Sequence, residues 1–242
     1  MKKVIGVLLL AAMIVSLAAC GSNTPEQDQT SMAAEIIPSE NESISSNVAS
    51  TADNKETQSK ILVAYFSRVG NTDWEDGVDV VTSASLNDVN GEYAGNAQLL
   101  AQMAQETTGG DLFLIETVEK YPSEYRKTTD QAKTEQNENV RPSLASYVEN
   151  MDSYDTIVLV YPIWWGSLPE PVMTFLEEYD FAGKTILPIS THGGSYLGNS
   201  IDEIAALCPK ATVLDGLAVS ASAAASAQSD VEDWINQAGL LK

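Results

Sequence analysis

The chain has 242 residues, 44% of them hydrophobic, enough for one large globular domain or two small ones. Asp and Glu exceed Lys and Arg by 21 charges, which excludes a nucleic-acid partner, because nothing here could displace the counterions of a phosphate backbone. Two cysteines, Cys20 and Cys208, lie in contexts so different that no disulfide between them is expected.

Met1-Lys2-Lys3 forms a short positive segment, Val4 to Ala19 is apolar, and Leu17-Ala18-Ala19 precedes Cys20. The apolar run is short for a stable membrane span and ends in small residues. This stretch resembles a bacterial lipoprotein signal. The resemblance implies lipidation of Cys20, cleavage just before it, and a chain that lies outside the cytoplasm, anchored by more than one acyl chain. The alternative is an uncleaved anchor helix. Gly21 to Ser59 is rich in Ser, Asn, Thr, Glu and Gln, cannot bury enough apolar surface to offset its ordering entropy, and reads as a disordered tether about 35 Å long. The expected organisation is therefore a signal over 1–19, a lipidated Cys20 with its tether over 20–59, and one folded domain over 60–242.

From Lys60 onward short apolar runs alternate with helical periodicity. Strands are predicted at Ile61–Phe66, Leu112–Glu116, Thr156–Tyr161, Thr185–Ser190 and Thr212–Leu217. Helical faces are predicted at Leu99, Leu100, Met103 and Ala104, stopped by Gly109-Gly110; at Leu144, Val148 and Met151; at Val172, Phe175, Leu176 and Tyr179, started by Pro169 and Pro171; at Ile201, Ile204, Ala205 and Cys208; and at Val231, Trp234, Ile235 and Ala238, where Ser229 and Glu232 are spaced as a capping box. Tyr121 to Pro142 is polar and reads as an exposed helix with flanking loops. Asp73 to Gly95, with Val78-Asp79-Val80-Val81 and the turn signal Asn90-Gly91, reads as a small β excursion or an ordered loop between the first strand and its helix. The alternation implies an α/β fold with a parallel sheet covered on both faces, whose ligands bind at the carboxyl ends of the strands.

Three strand-end loops carry the candidate chemistry. The first, Ser67-Arg68-Val69-Gly70-Asn71-Thr72, offers hydroxyls and unobstructed backbone N–H groups as an anion cradle. The second is Tyr161-Pro162-Ile163-Trp164-Trp165-Gly166. Adjacent residues in an extended loop point apart, so one tryptophan faces inward and the other lies over the surface, either as core cover or as a stacking wall for a flat aromatic ligand. Gly166 would let a backbone carbonyl turn toward that ligand. The third is Thr191-His192-Gly193-Gly194-Ser195, holding the only histidine, which is either structural or a ligand contact. No second His or Cys is placed to make a metal site with it. The chain has no Walker loop, no Gly-x-Gly-x-x-Gly after the first strand and no Gly-x-Ser-x-Gly elbow. Cys208 sits on an apolar helix face and reads as core.

Tyr-Phe-Ser-Arg-Val-Gly-Asn-Thr at 65–72, Tyr-Pro-Ile-Trp-Trp-Gly at 161–166 and Thr-His-Gly-Gly-Ser at 191–195, in that order and all at strand ends, resemble the flavodoxin family over about Lys60 to Lys242. The resemblance implies a flavodoxin-like doubly wound five-stranded parallel sheet of order 2-1-3-4-5, here with an insertion after the first strand, and FMN as cofactor. It implies that Ser67, Asn71 and Thr72, with backbone N–H groups of Arg68 and Gly70, hold the FMN phosphate. Pro162, Ile163, Trp164, Trp165 and Gly166 would flank the isoalloxazine, and Thr191, His192, Gly193 and Gly194 would line its pyrimidine side. Against the family pattern, position 69 is Val where a hydroxyl residue is frequent, and Asp73, Glu75 and Asp76 bring negative charge toward the phosphate. The implied activity is electron transfer to redox partner proteins or a small-molecule acceptor. The alternatives are an FMN-dependent reductase of quinones or other small molecules, and a flavin-free extracytoplasmic binding module.

Overall fold

A computed structural model describes residues 60–77, 84–89 and 92–239. The signal, Cys20 and the tether lie outside the described residues, as do Val78–Val81 and Asn90-Gly91. The first apolar run forms β1 (Ile61–Tyr65), buried along its whole length. After it come the hairpin strands β2 (Leu86–Val89) and β3 (Glu92–Gly95), α1 (Asn96–Thr108), β4 (Asp111–Leu114), α2 (Tyr125–Glu138), β5 (Thr156–Pro162), α3 (Glu170–Glu178), β6 (Thr185–His192), α4 (Ser200–Leu207), β7 (Thr212–Val213), β8 (Leu217–Ser220) and α5 (Gln228–Gln237).

The main sheet runs β4-β1-β5-β6-β7, with β8 also on β6, and every pairing in it is parallel. This is the expected 2-1-3-4-5 order, with one difference. The fifth strand is broken: β7 pairs with Thr185 and Ile186, and β8 with Ile189 to His192. At the break Gly216 packs under the side chains of Leu197 and Ile201, and a Cβ there would fall 2.7 Å from Leu197 Cδ2. The pleat divides the apolar residues between two cores. Leu62, Ala64, Phe66, Ile157, Leu159 and Tyr161 face the layer of α3 and α4, whereas Ile61, Val63, Tyr65, Val158 and Val160 face α1 and α5.

Most predicted helices form with their predicted faces. α1 ends at Gly109, whose left-handed φ of 67° lets its N–H donate to Gln105 O at 2.8 Å. α3 begins at Pro169 and buries Val172, Phe175 and Leu176. Three expectations fail. Leu144, Val148 and Met151 do not share a helix. Leu144 and Val148 lie in extended chain whose backbone is used sideways: Val118 N–H donates to Ser143 O, Ala145 N–H to Glu116 O, and Val148 N–H to the Tyr179 hydroxyl; Met151 opens a 3₁₀ turn, Met151–Ser153. All three side chains still pack on the core, Leu144 and Val148 from the extended chain and Met151 from the turn that follows it. Ser229 does not cap α5, which already begins at Gln228 after a 3₁₀ turn at Ala224–Ser226; Gln228 instead donates to Glu232 at 2.7 Å. Ala205 on α4 is exposed. The insertion contains the antiparallel pair β2-β3, with Leu86 opposite Gly95 and Val89 opposite Glu92, in keeping with the predicted excursion.

Candidate functional site

The loop after β1 is built largely from its own polar side chains. Asn71 is wholly buried and makes four hydrogen bonds: Nδ2 donates to Ser67 O (2.9 Å) and Ile115 O (3.0 Å), and Oδ1 accepts from the Thr117 N–H (2.8 Å) and hydroxyl (3.0 Å). Every polar position on this amide is used within the fold, so Asn71 shapes the loop and its side chain is not offered to a ligand. Arg68 is also fully buried, and Nη2 donates to the carbonyls of Pro122 and Ser123, both at 2.9 Å. Its guanidinium lies 5.2 Å from the Trp74 ring, and burial pushes its pKa down to about 10. Tyr121 N–H donates to Asn71 O, and Lys120 Nζ to Gly70 O. Loop 67–72 is thus stapled to the segment that follows β4, a use of these residues that the sequence did not reveal.

Two hydroxyls of the loop remain for other work. Ser67 Oγ accepts the Val69 N–H at 3.1 Å, which spends that N–H within the loop and leaves the Ser67 hydroxyl proton to donate. Thr72 Oγ1 is buried and has no hydrogen-bond partner, an orphan that normally signals a missing ligand or water. The insertion does not separate this loop from the helix it should lead into. It leaves after Thr72 and returns at Gly95, the N-cap of α1, where a Cβ would fall 1.9 Å from Ser67 Oγ. A larger residue there would have to displace the Ser67 hydroxyl. The first turn of α1 carries no carboxylate, so its N–H groups present positive potential beside Ser67. Asp73, Glu75 and Asp76 are exposed to solvent, where the charge they carry is well screened.

The tryptophan pair sits on a tight turn. Trp164 and Ser167 exchange two backbone hydrogen bonds (3.1 and 3.0 Å), and the two central residues both have positive φ, 53° at Trp165 and 80° at Gly166. A bulky residue in the left-handed region costs about 1–2 kcal/mol and is held there by its surroundings. Trp165 Nε1–H donates to Thr129 O of α2 at 2.9 Å, and Lys133 Nζ lies 5.4 Å from its ring. As expected, the pair splits: Trp165 is 56% exposed, while Trp164 packs edge-on against Phe66 (5.3 Å) and Tyr121 (5.2 Å). Trp164 Nε1–H donates to Ser85 Oγ at 2.9 Å. The Gly166 carbonyl accepts the Asn199 N–H at 2.9 Å, so this carbonyl points to the start of α4.

Between these parts lies a cavity of about 260 Å³. Of the expected residues it is lined by Arg68, Ile163, Trp164, Trp165 and Gly193. Ser67, Gly70, Asn71, Thr72, Pro162, Gly166, Thr191, His192 and Gly194 do not line it. Ser67 and Thr72 belong to the loop beside it, and the Thr191 hydroxyl donates to Ala84 O at 2.6 Å. Seven lining residues were missed: Ala84 and Ser85 from the insertion, Tyr125, Thr128, Thr129 and Ala132 from α2, and Ser195. The helix expected to be exposed therefore turns one face, with Thr128 and Ala132 buried, into the site. Small and polar residues carry no apolar period, so no sequence signal marked that face. His192 and Gly194 line a second, more open cleft with Leu86, Asn87 and Ser220–Ser222, on the other side of Gly193.

A family model described as flavodoxin matches residues 90–238. The chain belongs to the flavodoxin family. No curated protein matches it. Among solved structures, this flavodoxin-family chain is similar to a putative flavoprotein from Bacteroides uniformis (26% identity, TM-score 0.56, covering 74% of this chain and 98% of that one). It is similar too to one from Bacteroides eggerthii (27%, 0.57, 74% and 97%). A flavoprotein from Lactobacillus acidophilus, solved in complex with FMN, shares the fold at 18% identity and TM-score 0.50, over 73% of this chain and 99% of that one. The family motifs at 65–72 lie upstream of the matched segment, and the fold brings them to its N-terminal helix.

Proposed function

We propose that this flavodoxin-family chain is an FMN protein that passes electrons between partners outside the cytoplasm, held at a membrane through a lipid on Cys20. The observation that carries the cofactor is the return of α1 to the loop after β1. Ser67, the buried unpartnered Thr72 hydroxyl and the carboxylate-free first turn of α1 are the donor set that a phosphate monoester requires. The aromatic cavity next to it suits a flat ring. FMN, when bound, supplies the redox chemistry.

The chain's own residues do the rest. Ser67 and Thr72 orient the phosphate. Trp164, braced by Phe66, Tyr121 and Ser85, gives one rigid wall and excludes water. Trp165, tied to α2, gives a second wall at the solvent edge, and the Gly193 backbone closes the cavity from the third loop. The net charge of −21 disfavours extra negative charge on a reduced ring and favours cationic partner surfaces. The lipid anchor rests on the run Leu17-Ala18-Ala19-Cys20. The test is the visible spectrum of the purified full chain and its titration with FMN. A flavin spectrum, or saturable uptake with quenched fluorescence, is expected. A protein that stays colourless after incubation with FMN refutes the reading in favour of a flavin-free binding module.

A further inference from the structure

The third loop contains a contact that none of the cavity walls explains. His192, the last residue of β6, is 5% exposed, and its Nδ1 accepts the Gly194 N–H at 3.0 Å. Accepting at Nδ1 places the proton of the neutral ring on Nε2. The residue between them, Gly193, is shared: it lines both the tryptophan cavity and the second cleft. Gly194 has φ 129°, a conformation that L side chains rarely adopt, so the turn is set by glycine freedom and by the imidazole together.

The surroundings of the ring hold no charge that would welcome an imidazolium. From its own loop the Tyr196 ring packs on it, 4.8 Å between centroids and 32° between planes. From β2 come Leu86 and Asn87, and from the end of β8 Ser220, Ala221 and Ser222. Tyr196 is the titratable group among these, and no carboxylate or ammonium lines this cleft among the described residues. Burial lowers the His192 pKa from its ordinary value of 6.5. The contribution of the neutral ring is therefore present above that value and is lost as pH falls through the lower, folded one.

We propose that His192 is a positioning residue for flavin binding: its neutral Nδ1, by accepting the Gly194 N–H, sets the turn that presents Gly193 to the tryptophan cavity, and protonation of that nitrogen loosens the bound FMN. This rests on the FMN reading above and adds a proton-linked control of affinity to it. An Nδ1–H facing the Gly194 N–H sets donor against donor at a buried site, and the turn must open to relieve it. The Gly194 N–H is spent on this internal bond, so the loop acts on FMN through Gly193.

Two readouts on the full-length chain test this. The chain has one histidine, so its ring titration by NMR is unambiguous without FMN. The Gly194 amide resonance is expected to move with the ring, at a midpoint below about 6.5. FMN affinity, read by fluorescence quenching from pH 8 to pH 5, is expected to fall with a limiting slope of about tenfold per pH unit beyond that of His192→Asn. The asparagine amide oxygen can accept the same N–H at every pH. The FMN phosphate's own protonation near pH ~6 acts equally on both proteins and cancels in the comparison. His192→Leu, which lacks an acceptor, should bind FMN more weakly already at pH 8. If that variant fails to fold, the asparagine comparison still decides. Parallel affinity profiles for the wild type and His192→Asn, or a Gly194 amide that ignores the histidine titration, overturn the proposal. A chain that binds no FMN at any pH overturns the flavin reading and the coupling together, and is distinguished by a Gly194 signal that still follows the ring.

Discussion

Asn71 offers the sharpest separation between what its motif implies and what its contacts do. As a phosphate ligand, its loss would weaken FMN and leave stability alone. As built, Asn71→Ala strands the Ser67 and Ile115 carbonyls and the Thr117 N–H in a fully buried place. The Thr117 hydroxyl keeps its bond to Glu119 O. A stranded buried group costs about 1–3 kcal/mol, so three together cost about 3–6 kcal/mol after partial relaxation. That is a large part of the roughly 5–15 kcal/mol that holds a domain folded. At a denaturant slope of about 2 kcal/mol/M, the urea midpoint should drop by about 1.5–3 M. Asn71→Asp keeps the acceptor but aims a carboxylate at two carbonyls, and should cost at least as much. Urea unfolding followed by tryptophan fluorescence, in the absence of FMN, measures both. A loss below about 1 kcal/mol in either variant refutes the scaffold role; a selective loss of FMN affinity would restore the ligand role.

Gly95→Ala should weaken FMN by about tenfold or more, since its methyl would fall 1.9 Å from Ser67 Oγ and drive the α1 terminus off the loop; unchanged binding in a calorimetric titration would detach α1 from the phosphate site. Trp165→Ala removes a side chain that is 56% exposed, so the urea midpoint should move little while FMN affinity or potential changes; no change in either would dismiss it as a wall. Cys208 is buried and its thiol is pushed up from 9.0 to about 11. It should resist a thiol reagent at pH 8 in the native protein and react fully in urea, and any stability it lends is present below pH 9.0 and lost as pH rises through about 11. Cys20→Ala should release the protein from membranes in fractionation, and continued retention would point to an uncleaved anchor.

The strands were legible because β1 and β5, buried on both faces, read as unbroken apolar runs. The break between β7 and β8 did not show in that way, because the run Thr212–Leu217 reads as one strand while its two ends pair with separate stretches of β6. The spacing of Leu144, Val148 and Met151 fits a helix, yet extended chain that ends in a 3₁₀ turn buries the same three side chains when its hydrogen bonds go to a neighbour. At the site, the two tryptophans were readable from adjacency alone. The roles of Ala84 and Ser85 were not, since Ala84 acts through its carbonyl and Ser85 through one hydroxyl that meets Trp164. The internal use of the Asn71 amide was not legible, because a motif names residue types and only contacts say whether a side chain faces outward.

The cavity draws its lining from the loop after β1, the inserted segment, α2 and the turns after β5 and β6, pieces spread over well more than half of the folded domain. No partial product of folding can assemble it, because the last of those turns exists only once β6 has paired with β5. A ligand there reports on completion and rewards nothing earlier: at about a hundred times its dissociation constant it adds about 2.7 kcal/mol to the finished state alone. Added stability should then appear almost wholly as slower unfolding, with the rate of refolding little changed. Such a domain, if it crosses a membrane as an unfolded chain, acquires its colour last.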